Sequence, residues 1–235
     1  MADWQTAPET VAAAYARGTL EKDARTISEA YRLKTGEGRR LLTRKSEAAA
    51  YALSRMPATV EAAKAALTEA LAATGLAPKT LLDCGAGTGA VTFAADALLG
   101  LERATCLERE TAMRAVGQQL MREAGGVQAE WAACDLTAKE RFRAPGWCAR
   151  LYARRAGSFH AAACGRKLWD ACEQMLVLIE PGTPQGFANL RAAREALTGR
   201  GAYVAAPCPE GSAACPMTGD NWCHFCRPRA ADAAA

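Results

Sequence analysis

The chain has 235 residues and a formal net charge of +4; 50% of it is hydrophobic, 23% charged and only 6% aromatic. That composition supports a packed core, excludes wholesale disorder, and contains no apolar stretch long enough to span a bilayer. The alanine-rich, aromatic-poor balance points to many helices, and the mild positive charge weakly favours a polyanionic partner.

Residues 1–75 read as a helical region. TAPETVAAAYARG offers Thr6 or Thr10 as N-cap and Gly18 as a stop, so a first helix is expected there. A second is expected over 20–34, a third over 45–56, and a fourth from Pro57 to Gly75, with proline at its start and glycine at its end. Between the second and third lies RLKTGEGRRLLTRK, with six basic residues and one acid. Arg32, Lys34, Arg39, Arg40, Arg44 and Lys45 are candidates for phosphate contacts with RNA; an exposed basic helix–turn–helix is the alternative.

From 76 to 206 the pattern becomes strand–helix alternation, which argues for an α/β fold with a parallel, doubly wound sheet. TLLDC meets a glycine-rich turn; VTFAADALLG reads as a helix, RATCLERE as a strand, TAMRAVGQQLMREAG as a helix and VQAEWAACD as a strand. RKLWDACEQ then reads as a helix, MLVLIEPG as a strand, 183–200 as a helix and GAYVAAP as a last strand. Residues 141–167 carry six arginines, one lysine and no acid, and read as a solvated or RNA-facing loop. Residues 207–235 have prolines, glycines and cysteines without periodicity, so they form a loop that needs something to hold it together.

Leu82-Asp83-Cys84-Gly85-Ala86-Gly87-Thr88-Gly89 is strand, acid, then G-x-G-x-G. Glycines let backbone turn tightly and approach a ligand, and the helix behind them attracts a carboxylate or phosphate. Glu108 ends the next strand about two dozen residues on, where an acid can bond ribose hydroxyls. Taken alone, the turn is also compatible with a simple tight turn, Glu108 with a solvated strand end, and Asp135 with a helix N-cap. The block resembles motif I of class I S-adenosylmethionine-dependent methyltransferases. That resemblance implies that Asp83 and Gly85, Ala86, Gly87 and Gly89 hold the methionine end, Glu108 the ribose, and Asp135 the adenine side.

The ten cysteines divide into six scattered ones and four near the end. The start, MADWQTAPET, lacks the basic and apolar regions of a secretory leader, so a reducing, cytoplasmic setting is expected. There, clustered cysteines mean metal or catalysis more often than disulfides. Cys208, Cys215, Cys223 and Cys226 give C-x6-C-x7-C-x2-C, four thiolates that suit zinc or an iron–sulfur cluster. The spacing fits neither a zinc ribbon nor a ferredoxin run, and His224 is a candidate replacement ligand.

Three blocks occur in order: Tyr51–Thr59 (YALSRMPAT), Leu82–Gly89, and Ile179–Phe187 (IEPGTPQGF). Ala206-Pro207-Cys208-Pro209, Cys215-Pro216 and Trp222-Cys223-His224-Phe225 follow. Together they resemble the small-ribosomal-subunit-associated methyltransferase-like family of bacteria and mitochondria. The resemblance implies a Rossmann-like methyltransferase sheet, bound S-adenosylmethionine, and a [4Fe–4S] cluster, with zinc as the alternative. Cys208, Cys215 and Cys223 match cluster cysteines; Cys226 stands in for a fourth ligand that the family takes from further along. It also implies association with the rRNA and proteins of the small ribosomal subunit, with no membrane contact and a monomeric state expected.

The same resemblance places a fourth strand and an acidic loop within 141–167, where the basic segment stands instead, and a frame shift there is an alternative reading. It also implies sheet strands beyond W-C-H-F, so the sheet is expected to lack an edge. The implied role is rRNA methylation or subunit assembly; a catalytically inactive assembly factor and a zinc-containing RNA methyltransferase are the alternatives. Methyl transfer relies mainly on positioning, His160 and His224 are the only histidines, and neither N-P-P-Y nor D-P-P-Y occurs, so no catalytic residue is assigned.

Overall fold

The structure is a computed structural model that describes residues 3–32, 42–136, 147–151, 158–208, 215, 217 and 220–226, with backbone alone at 31–32, 147–151 and 158–161. Helices α1 (Ala7–Ala12), α2 (Arg17–Arg32), α3 (Lys45–Ser54) and α4 (Met56–Thr74) precede β1 (Thr80–Cys84). Then come α5 (Ala90–Leu99), β2 (Arg103–Leu107), α6 (Thr111–Ala124), β3 (Ala129–Ala132), β4 (Trp147–Leu151), α7 (Ser158–Asp170), β5 (Leu176–Ile179) and α8 (Pro184–Thr198).

The strands form one five-stranded sheet in the order β3-β2-β1-β4-β5, and every pairing is parallel. Parallel strands need crossovers, and these put helices on both faces. The order reverses between β1 and β4, and that switch point is where ligands bind in such sheets.

Strand alternation sorts side chains to two cores. Leu81 and Ala104 join the core made with α1, α3, α4, α5 and α6. Leu82, Cys84 and Leu107 join the core made with Cys164, Leu168 and Ala171 of α7 and the turn after it. The first core contains Trp4, Val11, Met56, Val60 and Leu67 from the helical region, so its packing is continuous with the sheet across residue 75. Asp3 N–H also bonds the Ala124 carbonyl at 2.9 Å, tying the start of the described chain to the end of α6.

The fourth helix ends as its sequence predicts, on Gly75 at φ 67°. Four expectations need correction. Gly18 does not stop the first helix; α1 ends at Ala12 and α2 starts at Arg17, running through Gly18. Burial of Ala7, Val11 and Ala12 fixes where α1 lies, and tertiary packing overrides local preference. The basic 141–167 stretch is not wholly loop. It holds β4, central in the sheet, and the start of α7.

The expected helix over 166–174 is therefore the second half of α7, which ends at Asp170. GAYVAAP is not a strand; backbone bonds from Arg200, Gly201 and Ala202 finish α8, and Tyr203 is 69% exposed, with no buried face to support a ladder.

A Cβ at Gly117 on α6 would overlap the Trp131 indole of β3. Helix propensity favours alanine over glycine by about 1 kcal/mol, whereas overpacking costs about 1–3 kcal/mol. Gly117→Ala should therefore lower stability in urea unfolding, and adding Trp131→Leu should recover part of the loss.

Candidate functional site

The turn after β1 is built from backbone. Gly85 and Ala86 both donate N–H to the Leu107 carbonyl, at 2.7 and 3.0 Å, so the chain is pulled against the end of β2 as it leaves β1. Gly85, Gly87 and Gly89 have φ of 76°, 61° and 93°, a region that side chains disfavour. A Cβ at Gly89 would also come within 2.6 Å of Met121 Cε. Gly89 caps α5 without any side-chain hydrogen bond, which leaves the helix entrance without a side-chain competitor for a ligand. From beneath, Thr88 Oγ1 donates to Met56 Sδ at 3.2 Å, and both residues are buried. The YALSRMPAT block thus supports the glycine turn directly.

The three acids stand at three neighbouring strand ends. Glu108 Oε2 accepts Gly87 N–H at 3.0 Å and Oε1 accepts Glu110 N–H at 2.8 Å, linking the turn to the start of α6. Asp135 follows β3 and pairs with Arg109 at 3.6 Å, and Arg109 also meets Glu110 at 3.1 Å.

Asp83 lies on the Leu81 side of β1, fully buried under α5. Its Oδ2 accepts Thr92 Oγ1–H at 2.8 Å, and Thr92 Oγ1 also contacts Cys106 Sγ at 3.3 Å. Burial raises the Asp83 pKa to about 7, the Thr92 bonds oppose this, and Glu108 adds repulsion. The sequence alone does not mark Thr92, Thr88 or Met56 as site residues. Position within a helix facing β1 is the only sequence signal for Thr92.

The basic candidates separate. Arg44 Nη2 pairs with buried Asp23 at 2.7 Å and with Glu47 at 3.0 Å, and its N–H bonds Glu47 Oε2 at 2.9 Å. Arg44 therefore clamps α2 to the start of α3, while Lys45 is exposed. Arg32 ends α2 and is described in backbone alone; Lys34, Arg39 and Arg40 lie outside the described residues.

Among the cysteines, Cys208, Cys223 and Cys226 are exposed and Cys215 is half-buried. Among the described residues, no group of three or more Cys, His, Asp or Glu side chains converges as a metal site. The four thiols have the right donor chemistry, but they are not gathered into a coordinating set.

Two further family blocks meet. Thr183 caps α8 by accepting Gly186 N–H at 3.1 Å, and a Cβ at Gly186 would overlap the Pro181 carbonyl oxygen. Onto this rigid turn docks the tail: Trp222 Nε1–H bonds the Gly182 carbonyl at 3.3 Å, and His224 Cβ is 3.1 Å from where a Gly182 Cβ would sit. The Trp222 and His224 rings stack with centroids 6.0 Å apart.

A doubly wound parallel sheet with the 3-2-1-4-5 order and an acid-flanked glycine turn at its switch point defines a Rossmann-like protein. The chain belongs to the family described as mitochondrial small ribosomal subunit Rsm22, whose family model matches residues 45–232. No curated protein matches the chain.

Among solved structures it is similar to an S-adenosylmethionine-dependent methyltransferase from Clostridium acetobutylicum, at 14% identity over 51% of this chain and 49% of that one, TM-score 0.43. It is also similar to CalS10, an amino pentose methyltransferase from Micromonospora echinaspora, at 22% identity over 50% and 48%, TM-score 0.40. A third is the CcbJ methyltransferase from Streptomyces caelestis, at 19% identity over 50% and 48%, TM-score 0.38. The matches span about half the length of each of these three proteins. Among the described residues, no helix is long and apolar enough to cross a membrane.

The Asp83 shift has a stability consequence. A carboxyl whose folded pKa is raised from 3.8 to about 7 favours folding at low pH, and that contribution is lost as pH rises through about 7. Asp83→Asn, measured without ligand, should melt close to the parent at pH 4 and above it at pH 8. A pH-independent difference in Tm would refute the assignment.

Proposed function

We propose that the chain is a methyltransferase-type protein of the small ribosomal subunit that binds S-adenosylmethionine above β1 and β2 and acts on rRNA during subunit assembly or translation. The observation that carries this reading is the acid-flanked glycine turn at the switch point. The residues fit the cofactor: Gly85, Gly87 and Gly89 hold positive φ values that side chains disfavour, so the turn presents backbone, Asp83 Oδ1 is buried without a hydrogen-bond partner among the described residues, and α5 opens without a side-chain cap.

The Gly85–Gly89 backbone would cradle the amino-acid end, Glu108 the ribose hydroxyls, and Asp135 the adenine side. When bound, the cofactor supplies an electrophilic methyl group. Glu108 already orders the turn through Gly87 N–H, so the cradle is shaped before ligand arrives. Arg32, Lys34, Arg39, Arg40, Arg44 and Lys45 are proposed phosphate contacts, and Arg44 also clamps α2 to the start of α3. The compartment follows the ribosome it serves: the matching family is described as mitochondrial, so cytoplasm is one setting and the organelle another.

The tail is proposed to load a [4Fe–4S] cluster on Cys208, Cys215, Cys223 and Cys226, with zinc as the alternative. The donor set and the exposure of three of its thiols support this, and no step of the chemistry is routed through it.

Tritiated S-adenosylmethionine offered with immature small subunits tests the activity. Label in rRNA, lost with Gly87→Val, is expected; co-sedimentation without label refutes methyl transfer to rRNA and leaves an assembly role, and the absence of both label and co-sedimentation overturns the reading. For the tail, protein purified anaerobically should carry iron and absorb near about 400 nm, as thiolate-ligated iron does. Cys215→Ser should lower the iron content severalfold; stoichiometric zinc in place of iron would establish the alternative.

A further inference from the structure

Methionine side chains gather at the glycine turn. The chain has six methionines, and three of them bear on three consecutive residues of this turn. Met113 lies beside Gly87, where a Cβ would come within 3.5 Å of Met113 Cε. Met56 Sδ accepts Thr88 Oγ1–H at 3.2 Å. Met121 presses on Gly89, where a Cβ would fall 2.6 Å from Met121 Cε and 3.6 Å from the Trp131 ring. Met113, Gly117 and Met121 recur at every fourth position, so they share one face of α6, and the Trp131 indole lies against Gly117 between the two methionines.

The three methionines differ in access. Met56 and Met113 are buried, whereas Met121 is half-buried. An oxidant arriving from solvent therefore reaches Met121 first of the three. The turn it backs has little play. Gly89 N–H bonds the Ala86 carbonyl at 2.7 Å, the Gly89 carbonyl accepts Phe93 N–H at 2.9 Å, and Gly89 φ is 93°.

Resting on the cofactor reading above, we propose that Met121 is an oxidative modification site whose sulfoxide closes the cofactor cradle. Hydrogen peroxide, or another hydroperoxide, transfers one oxygen to the thioether. The peroxide O–O bond breaks, an S–O bond forms and water leaves; sulfur gives up two electrons and the peroxide takes them. The product carries a polar oxygen where an apolar side chain stood. A buried acceptor is costly until it is hydrogen-bonded. Two donors can serve it: water, or Trp131 Nε1–H, which is buried without a partner among the described residues on the indole that packs beside Met121. Both draw Met121 off Gly89. The turn then loses its backing at the residue that leads into α5, and its backbone no longer fits the ligand. Methionine sulfoxide reductases reverse the step, so the cradle can reopen.

The test treats ligand-free protein with graded hydrogen peroxide, then with dithiothreitol, which reverses sulfenic acids and disulfides but leaves methionine sulfoxide. Peptide mass spectrometry maps the sulfoxides, and calorimetry reads S-adenosylmethionine affinity against the untreated sample of the same protein. Affinity should fall severalfold in step with Met121 sulfoxide while the far-ultraviolet circular dichroism spectrum is kept. Met121→Leu, a volume-conserving swap without the sulfur, should show no such fall. Unchanged affinity in protein carrying Met121 sulfoxide overturns the proposal and leaves the cofactor reading standing. So does a Met121 that resists peroxide, or that oxidises after Met56 or Met113. The same fall in Met121→Leu assigns the loss to another residue and overturns the proposal, as does a lost dichroism signal, which marks global unfolding. Untreated protein that binds no S-adenosylmethionine overturns the cofactor reading and the proposal with it. Where Met121→Leu does not fold, methionine sulfoxide reductase acting on the oxidised parent decides. Affinity should return as the Met121 sulfoxide disappears, and affinity that stays low overturns the proposal.

Discussion

The Leu107 carbonyl oxygen accepts N–H groups from both Gly85 and Ala86. This fork decides how the chain leaves β1, and the site depends on it. A carbonyl at the end of a strand has two lone pairs and no further ladder partner, so it can take both bonds. The bend it imposes forces three positive φ values in five residues, which only glycine adopts cheaply. Once bent, the turn presents Gly87 N–H to Glu108 and aims Gly89 into α5. The same arrangement buries Asp83 on the opposite side of the strand from Leu82 and Cys84.

Around that turn the separated sequence blocks become neighbours. Met56, from YALSRMPAT, lies beneath Thr88 and fixes the underside of the turn. At the far edge, the W-C-H-F segment rests on E-P-G, through one indole hydrogen bond and close packing of His224 on Gly182. The cysteine-bearing segment is therefore attached to the loop at the carboxyl end of β5. The helical region, the glycine turn and the tail are bound into a single arrangement by these small contacts and by a shared core.

Much of this is legible in the sequence, and for a physical reason in each case. The long periodic helices, the apolar run of β1 and the proline–glycine bounds of α4 carry local signals that packing reinforces. What escapes is set by tertiary context. WCARL is central in the sheet, yet Arg150 and the arginines around it hide the apolar run expected of a doubly covered strand. GAYVAAP has β-branched and aromatic residues but pairs with no strand among the described residues. Glu108 is legible by position after β2, while Thr92 is not, because a threonine hydroxyl beneath a buried carboxylate leaves no pattern in a helix. Arg44 reads as one more surface cation until Asp23, twenty-one residues earlier, is seen beside it.

The shared core also has a consequence for biosynthesis. Helices α1, α3 and α4 are made before the elements that cover them, since α1 and α3 pack on α6 and α4 packs on α5. While the chain grows, these helices can pack on one another and α4 can meet α5, but the surfaces of α1 and α3 that face α6 stay uncovered until residues near Leu120 have left the exit tunnel. Burial then depends on contacts distant in sequence, which form slowly and leave greasy surface open to chaperones or to neighbouring nascent chains. A protein built this way completes its fold late, once its central turn and α6 are both free of the ribosome that makes it.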